Sequence, residues 1–145
     1  MIHARIDITK DFDGHAVVHA CFDLTEAESA SAAHAVAATR AERYRTAAMS
    51  TDDVLEMRDL TALADELGDA AARGAASTLV LAPARLTALR HAVEGFVVGR
   101  DEAEWIREED REPLALARTL VWPLAELCED ALRAALAASD AARAG

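Results

Sequence analysis

A chain of 145 residues is sized for one domain, and folding removes roughly 68 to 70% of its extended surface from water, enough for an ordinary core without disulfides or metals. Its formal charge of -11, from 26 acidic against 15 basic side chains, repels phosphate backbones, so nucleic acid is not an expected partner. Cys21 and Cys128 are lone thiols with no Cys-x-x-Cys pair, there is no basic-then-apolar leader, and no run of 18 apolar residues occurs, so neither secretion nor a membrane partner is expected and the expected location is cytoplasmic.

The first segment alternates apolar and polar residues: Ile2, Ala4, Ile6 and Ile8 against His3, Arg5, Asp7 and Thr9, answered by Ala16, Val18, Ala20, Phe22 and Leu24. Between the two runs, Asp11 to His15 offers a three-residue loop of Phe12, Asp13 and Gly14, with Gly14 in the left-handed position. That loop sets Ile8 opposite Val18, Ile6 opposite Ala20 and Ala4 opposite Phe22. A two-residue Asp-Gly turn would set Ile8 against His19 and turn one strand's apolar set to water.

At Thr25 the period lengthens to three and four. Thr25 and Glu28 form a capping box that opens a helix to about Met49, its apolar side being Ala33, Val36, Ala37, Tyr44, Ala47 and Ala48. Ser50 to Asp53 restarts the pattern with cap residues and two carboxylates, predicting a second helix to about Arg73 whose seam is Met57, Leu60, Ala64, Leu67 and Ala71. Gly74 ends it. Ser77 to Leu81 reads as a third strand, and Pro83 opens a helix presenting Leu86, Leu89, Val93, Phe96 and Val97 before a stop at Gly99. A short helix from Asp101 is expected to carry Trp105 and Ile106. From Pro113 the spacing of Leu116, Leu120, Leu124, Leu127 and Ala131 marks the most hydrophobic helix, with Pro123 either kinking or ending it, and residues 139–145 form a frayed tail.

Few residues carry readable chemistry. On the polar hairpin face the register sets Asp7 opposite His19 and Arg5 opposite Cys21, so Asp7, His19 and Cys21 are weak metal candidates, although a flat solvent-facing sheet with cross-strand ion pairs is the plainer reading. His34 stands alone in an alanine helix, with nothing at readable spacing to complete a triad. The acidic segment Asp101 to Glu112 sets Glu104 and Glu108 one turn apart near Trp105, a candidate docking strip for a partner with a basic surface. Trp105, Trp122 and Phe96 are candidates for the apolar wall of a small-molecule pocket.

The expected architecture is therefore α+β and helix-dominated: a small antiparallel sheet of the hairpin plus a strand near 77–81, covered by about five helices, in one domain over residues 1–138. No catalytic constellation and no cofactor motif is present in the sequence. The leading expectation for function is a non-catalytic interaction or regulatory domain that acts through its acidic helical surface, and a homodimer is expected whose buried surfaces are the sheet edge and the Leu116 to Leu136 helix. The alternative is a small-molecule-binding domain or unrecognised enzyme with its pocket near the tryptophans.

Overall fold

The structure, a computed structural model, describes residues 1, 3–45 and 49–144. Ile2, the stretch 46–48 with the expected apolar positions Ala47 and Ala48, and Gly145 lie outside the described residues. The order of elements is β1 (Ala4–Lys10), β2 (Ala16–Leu24), α1 (Glu26–Tyr44), α2 (Thr51–Ala72), β3 (Ser77–Leu81), α3 (Pro83–Asp101) and α4 (Glu108–Ala144). The fold is α+β and dominated by helix, with a three-stranded antiparallel sheet in the order β1-β2-β3.

The hairpin pairs in the expected register, Ala4 with Phe22, Ile6 with Ala20 and Ile8 with Val18. Its loop closes through Gly14 N–H to the Asp11 carbonyl at 3.1 Å and Asp11 N–H to the His15 carbonyl at 3.0 Å, with Gly14 at φ 79. β3 continues the same face, Leu81 beside Ala20 and Leu79 beside Phe22, because its own alternation buries Ser77, Leu79 and Leu81 and leaves Thr78 and Val80 outside. Strand β1 is an edge, and most of its residues are exposed.

Both helix starts predicted from local sequence carry reciprocal capping boxes, Thr25 with Glu28 and Ser50 with Asp53. The helices pack around one hydrophobic cluster that joins Phe22 and Leu24 of the sheet to Val36, Leu60, Leu89 and Leu120. In α2 the buried set is Met57, Leu60, Leu63, Leu67 and Ala70: Met57, Leu60 and Leu67 of the expected seam are buried, Leu63 and Ala70 join them, and Ala64 and Ala71 are half-buried. In α1 the buried face is Ser29, Ser31, Ala32, Ala35 and Val36, and Ala37 and Tyr44 of the expected face are exposed. Ser29 and Ser31 tolerate burial because each hydroxyl is bonded, Ser29 to Ser77 Oγ at 2.9 Å and Ser31 to the Pro113 carbonyl at 2.6 Å.

Among the described residues there are four helices rather than about five. Gly99 does not stop α3, which runs to Asp101, and the expected short helix around Trp105 is an irregular link over 102–107. A glycine on an exposed helix face costs only about 1 kcal/mol, less than the packing of α3 returns. Helix α4 begins at Glu108, five residues before Pro113, and its assignment passes unbroken through Pro123 and through the segment expected to fray, as far as Ala144. Among the described residues no helix is long and apolar enough to cross a membrane.

Leu79 is fully buried where β3 meets the helices. Leu79→Ala should lower stability by about 3 kcal/mol, the cost of a methyl-lined cavity at a site that cannot collapse. Urea unfolding followed by circular dichroism measures it, and a loss below about 1 kcal/mol would contradict this packing.

Candidate functional site

The link 102–107 leaves a cleft of about 520 Å³ between α1, the end of α3 and the start of α4, lined in part by His34, Glu42, Arg100, Glu104, Trp105 and Asp110. Its floor is a charged cluster drawn from three helices. Asp110 is 5% exposed, and its Oδ1 lies 2.7 Å from His34 Nε2 while Arg100 Nε donates to its Oδ2 at 2.8 Å. Arg100 Nη1 donates to Glu42 at 3.3 Å. Phe96 contacts both: its ring meets that of His34 edge-on, centroids 5.4 Å apart at 73°, and its centroid is 4.9 Å from the Arg100 guanidinium carbon.

Burial pushes the Asp110 carboxyl upward, but hydrogen bonds from His34 and Arg100, reinforced by their charge, hold it below the usual carboxylate range. Burial likewise opposes the Arg100 charge, and the bonds to Asp110 and Glu42 outweigh it, so its value is raised. An ionised carboxylate only accepts hydrogen bonds, so the proton between the two groups is carried on His34 Nε2. When the ring is neutral, Nδ1 is then an acceptor, without a hydrogen-bond partner among the described residues. The lining residues carry no hydroxyl or thiol; what they offer is an imidazole and carboxylates, which can accept a proton or a hydrogen bond and can hold charge.

Of the residues singled out from sequence, the cleft gathers three. Trp105 and Glu104 line it, Trp105 being 70% exposed, and Phe96 is buried under its floor. Trp122 is not brought to them; it is 72% exposed on α4 and its indole donates to Glu126 one turn on at 2.7 Å. Glu104 and Glu108 do not share a helix turn, since Glu104 sits in the irregular link and Glu108 begins α4, where it pairs with Arg111 at 3.3 Å.

On the sheet, Cys21 Sγ donates to Asp7 at 3.3 Å and Arg5 Nε to Asp7 at 3.1 Å. Burial and the Asp7 bond push the Cys21 thiol up, which disfavours the thiolate a metal needs. His19 is in register with Asp7, but among the described residues the only three such groups whose ligand atoms gather within 4.8 Å are the exposed Asp11, Asp13 and His15.

The Asp110 and His34 pair spans 76 positions, and sequence spacing alone does not join them. A signal for Asp110 was nevertheless present: it stands in phase with Leu114, Ala117 and Leu124 on the buried face of α4. Compared with known protein families, with curated proteins and with solved structures, the chain matches none.

A native carboxyl held below its ordinary range contributes stability that is present above that range and lost as pH falls through the depressed value. Asp110→Asn should therefore cost about 2 kcal/mol at neutral pH, from two weakened charge-assisted bonds. Denaturant titrations down the acid range should show the gap to wild type closing as Asp110 itself protonates; a gap that does not narrow on acidification would contradict the assignment.

Proposed function

We propose that this chain is a non-catalytic binding module that docks a basic segment of a protein partner at the surface around Trp105. The observation that carries the reading is the exposure of Trp105 at the rim of a cleft, on a link that could have buried it in a helix. An exposed tryptophan beside a concave site is the usual anchor of an interface.

The surrounding charge suits a cationic partner. Glu102, Glu104, Glu109 and Glu112 are exposed around the link, with no ion pair among the described residues, and outnumber the exposed Arg45 and Arg107 on the same cleft, whereas Arg100 is occupied by Asp110 and Glu42. A lysine or arginine entering beside Trp105 would meet an aromatic face and the Glu104 carboxylate together. Glu108 contributes less, its charge being shared with Arg111. Two free thiols, Cys21 and Cys128, suit a reducing compartment, for which we take the cytoplasm.

A second reading, a small-molecule site or an unrecognised enzyme, is favoured by one observation. The cleft volume of about 520 Å³ falls in the range of small-ligand sites, and His34 is the acid-base group such a ligand would meet. That site would consist of Trp105 and His34 over Phe96, without Trp122.

In a Trp122→Phe background Trp105 is the sole indole, and titration with an arginine-rich dodecapeptide should shift its emission saturably. Trp105→Ala, read by calorimetry, and Glu104→Lys should each weaken binding at least about tenfold, or ~1.4 kcal/mol, and Glu108→Lys less. An emission unmoved by the peptide would refute the docking reading. A metabolite that moves the emission and raises the melting temperature where the peptide does neither would favour the second.

A further inference from the structure

Beyond Ala131 no residue of α4 is buried, yet two large apolar side chains follow, Leu132 at 59% and Leu136 at 57% exposure. They lie on one seam, spaced three and four apart, with Glu129 one step before and Ser139 and Arg143 after. To either side the helix borders shallow apolar grooves: one against α3 through Pro83 and Leu86, one against the hairpin through Ile8 and Val18, with Ala135 lining both. We infer that this stretch of α4 is the surface on which two copies of the chain pair, their helices antiparallel about a two-fold axis at Leu136.

The charges along the seam choose the occupant and the direction. An antiparallel copy centred on Leu136 sets Leu136 against itself and Glu129 against Arg143 of the second copy, seven residues to either side, so the apolar centre is closed at both ends by an opposite-charge pair. One position round, the same arrangement sets Arg133, which within its own helix lies 3.2 Å from Asp130 and 3.9 Å from Glu129, near Asp140 of the second copy. A parallel pairing would instead set Glu129 against Glu129 and Arg143 against Arg143. In this register Leu136 can enter the groove beside the opposite Ala135, while Leu132 lies opposite Asp140 and forms a wall of the groove against α3, so the same patch supplies both knob and hole, as a two-fold interface requires.

Helices meeting from Cys128 to Ala144 touch over about 25 Å, an interface at the small end of specific ones. A charge of -11 on each copy opposes the encounter. Dimerisation is therefore expected with a Kd of about 1 to 50 μM at ionic strength near 0.15 M, where the Debye length is about 8 Å.

Sedimentation equilibrium of the full chain from about 1 to 500 μM should give a weight-average mass that rises with concentration toward twice the 15.5 kDa chain mass. The double variant Leu132→Glu and Leu136→Glu changes only exposed side chains; it should keep the wild-type circular dichroism and sediment as a monomer. Arg143→Glu should weaken pairing at least tenfold, and adding Glu129→Arg should restore it. A wild type that stays monomeric would overturn the inference and leave the ridge to an unlike partner. A dimer indifferent to the two leucines would place pairing elsewhere, at the β1 edge for example, and a charge swap that fails to rescue would refute the antiparallel register.

Discussion

A carboxylate buried at the first turn of α4 must find partners, and Asp110 finds them on two other helices. His34 comes from α1 and Arg100 from the last turn of α3, so one group ties together three elements that share little large apolar surface at that end of the molecule. An unpaired charge in that position would cost several kcal/mol, which makes the arrangement restrictive. It anchors the first turn of α4, and with α3 ending at Asp101 six irregular residues, 102–107, join the two helices and carry Trp105 exposed. The Arg118 to Asp101 contact holds the other side of the same junction.

How far the sequence could be read depends on the size of the side chains. In the hairpin, isoleucine, valine and phenylalanine alternate with charged residues, and one register keeps them on one side, so pairing, loop and Gly14 were all legible. The capping boxes are local chemistry and were equally plain. In α1 the helix was legible but its inner face was not: alanine occurs at positions 30, 32, 33, 35, 37 and 38, so any rotation presents a small apolar surface. There the choice is made by hydroxyls, Ser29 reaching Ser77 and Ser31 reaching Pro113, contacts across 48 and 82 positions.

The candidate site was half legible for a related reason. Trp105 and Glu104 stood out by type, but His34 reads as an isolated residue and Asp110 as one acid among many in the run from Asp101 to Glu112. Only the phase of Asp110 with the leucines of α4 separates it from its neighbours. Gly99 and Pro113 misdirected the boundaries because both are helix punctuation that packing can override: Gly99 lies on an exposed face at a cost of about 1 kcal/mol, and Pro113, sixth in α4, forfeits one backbone bond at a cost of about 3 kcal/mol that the buried Asp110 and Leu114 beside it offset.

The two ends of α4 solve opposite problems with one helix. Its first turns are acidic and bring a charge into the interior, where His34 and Arg100 neutralise it; its last turns are alanine-rich and carry leucines out to solvent. Alanine sustains the helix by propensity without demanding burial, so α4 can extend past the core that supports its middle. A surface presented that way is rigid along its length and nearly free of bulk except at the leucines. Under the docking and pairing we propose, recognition at the first end rests on charge and one aromatic ring and at the other on a ridge meeting a groove, and the two surfaces lie at opposite ends of α4 where they do not compete.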